Sequence, residues 1–292
     1  MTRTEVFAQN ATVLMLAVEV TMDSAIDSAA KTLREAIDDI NPTYIVSMVS
    51  GGKDSAASHA VAKELGIKID LTIHGRTRTG IPETSDFVCQ KYGDDNLVVA
   101  DAGTAFEDYV LRKGFFGRGV SAHGFSYRIL KAGPFRKVIS KYLRKRRRDV
   151  RILLINGARK DESLNRQKNL NIRRPDPAAQ NNIWINPIHY WSAFERDDYL
   201  ESRRVPINPV AKLLCRSGEC MCGTMQTKEE RAEAALFYPE WGKWLDELEA
   251  EVLGKHGWGW GQQMPYRDVR QIEMFQPMCV GCEGRVIPQS RF

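Results

Sequence analysis

Short apolar runs alternate with segments of helical period along most of this chain. Ala25, Ile26, Ala29, Leu33 and Ile37 recur at helical spacing until Pro42 stops the pattern. Tyr44 to Val49 is a continuous apolar run that reads as a buried strand, and Ala56 to Leu65 reads as a helix closed by Gly66. Ile69 to His74 and Leu97 to Ala100 read as two more strands. Between them a helix runs from Pro82, which suits a first helical position, to Tyr92. Phe135, Val138, Ile139, Tyr142 and Leu143 make one apolar helical stripe, and Arg151 to Asn156 makes another strand. Residues 1–23 hold only a short apolar segment, expected to pack on the sheet. Residues 173–182 read as an exposed polar loop. Such alternation predicts an α/β fold, a parallel twisted sheet flanked by helices, with ligands at the carboxyl ends of its strands.

The first of these strands ends in Ser50-Gly51-Gly52-Lys53-Asp54-Ser55. Glycines let the backbone approach an anion, and the first N–H groups of the next helix have no intrahelical partner and sit at its positive end. Lys53 adds a point charge, Ser50 and Ser55 can donate hydroxyls to phosphate oxygens, and Asp54 can cap the helix or hold magnesium. A second cluster follows the strand at 151–156: Gly157, Arg159, Glu162, Ser163 and Arg166. Two arginines seven residues apart can close on phosphates from the side facing the glycine loop.

The loop is not a Walker A pattern. It resembles the SGGxDS loop of the N-type ATP pyrophosphatases, the superfamily that includes the phosphoadenosine phosphosulfate (sulfonucleotide) reductases and nucleic-acid thiolation enzymes. Pro82-Glu83-Thr84 is similar to that superfamily's segment after its second strand, and residues 157–166 match its G-x-R-x-x-E-S-x-x-R pattern. Trp184 to Ile188 and Arg203 to Pro209 are similar to its closing part. The resemblance implies an adenine nucleotide alpha hydrolase-like fold, ATP with Mg²⁺ on Ser50, Gly51, Gly52, Lys53, Asp54, Ser55, Gly157 and Arg159, and catalytic roles for Lys53, Asp54, Arg159 and Arg166.

Charge is concentrated in one place. Of the 42 Lys and Arg in the chain, ten lie between Lys131 and Arg151, where Asp149 is the one acid. Arg136, Lys137, Lys141, Arg144 and Lys145 fall on the helix face opposite the apolar stripe, and Arg146, Arg147 and Arg148 extend it. A basic patch on an otherwise acidic body suits a polyanion, so these residues are candidate nucleic-acid contacts, against the plainer reading of a solvated surface helix. His123, in a glycine-rich loop expected to be mobile, is a weak acid–base candidate.

From about residue 206 the composition changes, which divides the chain into a nucleotide-binding region, 1–205, and a cysteine-rich helical region, 206–292. Cys215, Cys220 and Cys222 form one cluster, and Cys279 and Cys282 another; Cys89 reads as a small buried residue. The five suit either a structural zinc site or a [4Fe–4S] cluster, with one thiol spare for persulfide sulfur. Between the clusters, Lys228 to Leu253 reads as two helices around Tyr238-Pro239, with Trp241, Trp244, Leu245 and Leu248 as a core stripe. No apolar stretch reaches membrane-span length, and the segment Val13 to Val18, broken by Glu19, does not suit a secretory signal. The chain is therefore expected in the cytoplasm.

Within the superfamily the pattern looks most like the ATP pyrophosphatases of bacterial DNA phosphorothioation systems, the Dnd and Ssp type. That likeness implies adenylation of a nucleic-acid group for sulfur insertion, DNA ahead of tRNA as acceptor, an iron–sulfur cluster, and a cysteine desulfurase as sulfur donor. A sulfonucleotide reductase is the alternative. Its usual Glu-Cys-Gly-Leu-His ending is not found here, since the chain closes on Arg285 to Phe292 without a cysteine.

Overall fold

The computed structural model describes residues 3–143, 150–177 and 179–265, with side chains from residue 22 onward. It opens with a helix α1 (Arg3–Ile40) that runs through the segment expected to be a short apolar stretch. Ala25, Ala29 and Leu33 of that helix are buried, as their spacing requires. Next come β1 (Tyr44–Val49), α2 (Lys53–Glu64), β2 (Leu71–Arg76), α3 (Pro82–Tyr92) and β3 (Leu97–Asp101). The ladder between β1 and β2 starts at Leu71, later than the apolar run suggests. Asp70 uses its carboxylate to accept from the Ile45 N–H at 2.8 Å, which closes the strand's approach before pairing begins.

Helices α4 (Ala105–Lys113) and α5 (Val120–Tyr127) lead through a π-helical turn, Arg128–Ala132, into α6 (Gly133–Tyr142). Val138, Ile139 and Leu143 of the expected stripe are buried, but Tyr142 is half exposed, with the Lys141 ammonium over its ring. Phe135 lies against Gly75 of β2 so closely that a Cβ there would meet its ring at 2.7 Å. β4 (Ile152–Ile155), a 3₁₀ turn at Lys160–Glu162 and α7 (Leu164–Asn169) follow.

Residues 173–182 are not the exposed loop that their polarity suggests. They belong to a hairpin, β5 (Arg173–Asp176) and β6 (Ala179–Ile185), the one antiparallel pair in the sheet. Pro175 is tolerated because β5 is an edge strand. Only alternate positions of β5 are partly covered, and so the apolar signal of a strand is missing.

The six strands lie in the order β3-β2-β1-β4-β6-β5, and every pair except β5–β6 is parallel. Chain order runs outward from β1 to β3, then returns to β4 on the other side of β1. That reversal puts a crevice at the carboxyl ends of β1 and β4, where α/β sheets bind ligands. Both sequence clusters, 50–55 and 157–166, leave the sheet there.

The last helices among the described residues are α8 (Ala193–Ser202), α9 (Pro209–Leu214), α10 (Lys228–Phe237) and α11 (Pro239–His256). Val210, Leu214, Met221 and Cys222 pack into one core with Phe106, Phe115, Leu130, Trp241, Leu245 and Leu248. Trp258 and Trp260 join this core by their indole N–H groups, which donate to the carbonyls of Phe115 and Met221. Cys89 is half-buried, with its sulfur 3.9 Å from the Arg76 guanidinium. Among the described residues no helix is long and apolar enough to cross a membrane.

Candidate active site

The turn after β1 is built for close approach. Gly51 has φ of +73°, and a Cβ there would meet the Thr84 methyl at 2.7 Å. Ser55 Oγ accepts from the Ser50 N–H at 3.1 Å and donates to the Gly52 carbonyl at 2.9 Å, which closes the loop on itself. Gly52 caps α2 with no side-chain hydrogen bond, so the open N–H groups of its first turn face the crevice. Asn208 pins the loop from outside. Its amide donates to the Gly51 carbonyl and to Thr84 Oγ1, each at 3.1 Å, while its own Oδ1 caps α9.

Gly157 holds the second segment against the first. A Cβ at this position would lie 2.5 Å from the carbonyl carbon and oxygen of Asp54 and 2.6 Å from the Ser55 nitrogen. Only a glycine brings the strand-end of β4 into backbone contact with the phosphate loop.

Arg159, expected on phosphates, is instead buried beneath the loop, 3% exposed. Its Nε donates to Asp54 Oδ1 at 2.7 Å and its Nη1 to the Trp191 carbonyl at 3.1 Å. The same Asp54 oxygen accepts from Arg196 at 2.9 Å. Asp54 is thus committed to two guanidinium groups and caps nothing.

Arg196 and Asp197, near the start of α8, are not legible in the sequence as site residues. The Ser192-x-x-Glu195 capping box marks where that helix starts, but not what it faces. Asp197 accepts from Arg196 at 2.7 Å and from Lys53 at 3.1 Å. Burial works against both charges. For Arg196 the hydrogen bonds to Asp197 and Asp54 outweigh it and raise the pKa; for Asp197 those from Arg196 and Lys53 outweigh it and lower the pKa. Glu162, which pairs with Arg166, is pushed up by burial.

These groups line a cleft of about 590 Å³ together with Ser50, Ser55, Asn156, Cys215, Arg216 and Ser217. Cys215 ends α9 in the left-handed conformation, φ 55°, and is exposed there. Arg216 is held by Glu233 and by the carbonyls of Leu214 and Glu230, and its buried Nε has no hydrogen-bond partner among the described residues.

The three described cysteines of the tail do not converge. Cys215 stands in the cleft, whereas Cys220 and Cys222 lie outside it, Cys220 with its sulfur 4.0 Å from Thr79 Oγ1. Cys222 lies 3.3 Å from Thr224 Oγ1 and 3.7 Å from Ser126 Oγ. The mutual interaction of the two thiols holds Cys222 well below the ordinary thiol range and drives Cys220 above it. Among the described residues no group of three His, Cys, Asp or Glu is placed to hold a metal, so these residues do not by themselves fit zinc or a cluster. Both arginines meet Asp54 through one oxygen, Oδ1, and the residue lines the cleft. Cys279, Cys282, Arg144, Lys145, Arg146, Arg147 and Arg148 lie outside the described residues. On α6, Lys137 and Lys141 are exposed, and Arg136 comes within 3.9 Å of Asp176. His123 is exposed on α5, bonded to Thr224, and is not among the residues lining the cleft.

A parallel sheet with an uncapped glycine turn and a cluster of arginines at its switch point defines a phosphate-binding α/β protein. The profile of the phosphoadenosine phosphosulfate reductase domain matches residues 44–225, and the chain belongs to that family. No curated protein gives a significant match. Solved structures with similar folds include a phosphoadenylyl-sulfate reductase from Candida auris in its phosphate complex. It is 16% identical, with 67% of this chain and 90% of that one covered and a TM-score of 0.46. Another is the FMN adenylyltransferase of Candida glabrata with ATP, 13% identical, with 67% and 60% covered and a TM-score of 0.49. A third is yeast FAD synthetase with FAD, 15% identical, with 66% and 62% covered and a TM-score of 0.46.

Proposed function

We propose that the chain is an ATP pyrophosphatase that adenylates a nucleic-acid oxygen so that sulfur can replace it, with DNA as the acceptor. One observation carries this reading: the phosphate loop, Lys53, Arg166, Arg196 and a thiol, Cys215, share a single cleft. ATP phosphates would rest on the open N–H groups of α2 and draw Lys53 away from Asp197. The acceptor oxygen attacks the α-phosphorus, forming the P–O bond while the bond to pyrophosphate breaks. A sulfur nucleophile then displaces AMP. Neutralisation of phosphate charge by Lys53, Arg166 and Arg196 supplies most of the catalysis, and Arg159 acts by positioning Asp54. The exposed Lys137 and Lys141 support a nucleic-acid acceptor. A cysteine desulfurase is the proposed source of sulfur, and the cytoplasm is the proposed compartment.

A sulfonucleotide reductase is the second reading, favoured by the family match across residues 44–225. Here Cys215 would attack the sulfur of a sulfated adenylate. The two readings separate in one assay on anaerobically purified protein. ATP with DNA yields AMP and pyrophosphate under the first, and a sulfated adenylate with a dithiol yields sulfite under the second. Release of ADP and phosphate would overturn the first, and no turnover of either substrate would overturn both.

A further inference from the structure

A second cavity, of about 820 Å³, lies on the far side of α3 from the phosphate cleft, between the starts of α3 and α4 and the corner joining α10 to α11. The segment Ser217–Glu219 walls one off from the other: Ser217 lines the cleft and Glu219 the cavity, while the Ile81 N–H donates to the Gly218 carbonyl at 2.9 Å. Nothing in the proposed chemistry uses this space.

Its walls are aromatic. Phe106 and Trp241 are buried at the base, Trp244 and Tyr238 are half-buried, and Phe237 is 47% exposed. Both indole N–H groups are already committed, Trp241 to the Thr79 carbonyl at 3.1 Å and Trp244 to Glu107 at 2.9 Å. The tryptophans therefore offer a ligand their ring surfaces rather than donors.

The charges around the cavity are unequal. Arg78 is tied to Asp101 by three hydrogen bonds, and Arg76 faces Asp86 at 3.9 Å, so the cations are offset. Glu83, Glu107 and Glu240 also line the cavity and form no ion pair among the described residues. Glu219, at its inner wall, accepts from the Thr77 N–H at 2.6 Å and from Ser85 Oγ at 3.1 Å. An apolar, aromatic chamber with unmatched carboxylates attracts positive charge, by the rings' quadrupoles and by Coulomb's law together. The same carboxylates disfavour a phosphate in this space.

We propose that this cavity binds a small organic cation, an ammonium or guanidinium group carried on an apolar body. The test uses benzyltrimethylammonium as probe and phenylmethanesulfonate as an anion of similar size, titrated into the full chain by calorimetry and tryptophan fluorescence. Saturable binding of the cation alone is expected. The double variant Glu83→Gln and Glu107→Gln should weaken it about tenfold, the scale of a cation–aromatic contact stripped of its carboxylates. The amide introduced by Glu107→Gln keeps an acceptor for Trp244, so the double variant preserves the fold, which circular dichroism checks; Trp244→Ala should weaken binding as well. Absence of saturable cation binding, equal binding of the sulfonate, or full affinity in the folded double variant would each overturn the proposal.

Discussion

Arg159 donates from Nε to Oδ1 of Asp54 over 2.7 Å although 105 positions separate the two. The arginine is almost wholly buried, and Asp54 is its nearer carboxylate, with Asp161 at 3.6 Å. Removing Asp54 takes the hydrogen-bonded carboxylate from a buried guanidinium and leaves it only the longer Asp161 contact. Asp54→Ala is therefore expected to cost about 3–5 kcal/mol of stability, and Asp54→Asn, which keeps an acceptor, clearly less. Urea unfolding of the two variants against the parent measures the difference.

Lys53 behaves differently. Its pair with Asp197 joins a partly exposed ammonium to a carboxylate that is 45% exposed. Such a pair contributes at most about 1 kcal/mol, so Lys53→Met should leave the unfolding midpoint nearly unchanged. Its loss of phosphate neutralisation should lower nucleotide turnover by about a hundredfold. Steady-state kinetics and thermal unfolding on one preparation settle both parts; a fall in stability matching the fall in rate would contradict the assignment.

Gly157 and Gly124 make a controlled comparison. Gly157→Ala forces a methyl into the Asp54 backbone at 2.5 Å, and backbone cannot yield as a side chain can. Phosphate-loop geometry should be displaced and nucleotide affinity lost, while the far-ultraviolet spectrum is kept. Gly124, within α5, has nothing within 4 Å of where a Cβ would stand. There alanine should be neutral or stabilise by about 0.5–1 kcal/mol. Equilibrium dialysis with ATP reads the first outcome and thermal unfolding the second.

His59 supplies a pH dependence. On the inner face of α2, its Nε2 lies 3.0 Å from Asp95 Oδ2 and its Nδ1 2.9 Å from Ser47 Oγ; in the neutral ring that donates to Asp95, Nδ1 accepts from the serine hydroxyl. Burial lowers its pKa, against the pull of Asp95. A histidine depressed in the folded state binds fewer protons there than in the unfolded chain. Stability should thus rise with pH across the interval from its folded value up to 6.5, with a slope of at most about 1.4 kcal/mol per pH unit. Asp95, also held low, adds the same sign at more acidic pH. In His59→Gln the dependence nearest pH 6.5 should flatten, as stability measured from pH 5 to 8 would show.

Much of the fold is legible because its signals are local. The run Tyr44–Val49, the paired glycines and the restart at Lys53 lie within a dozen residues, and each acts through its own backbone preferences. The hairpin of β5 and β6 is not legible, because an edge strand with Arg173, Arg174 and Pro175 carries no alternating apolar face. Tyr142 continues the apolar stripe of α6 but meets solvent, while Leu143 beside it is buried against the sheet.

By itself the sequence determined the strands β1 to β4, the glycine turn after β1, and the arginine cluster after β4, since nearest-neighbour chemistry sets all three. Only the tertiary structure decided which charges meet. Strand order brings β4 beside β1, and so places Arg159 under Asp54 instead of on a phosphate. Packing of α8 and α9 over the crevice adds Arg196, Asp197 and Cys215 to the site and leaves Cys220 and Cys222 outside it. Spacing along a chain cannot encode these neighbours, because adjacency in a parallel sheet is settled by crossovers that bury the most apolar surface.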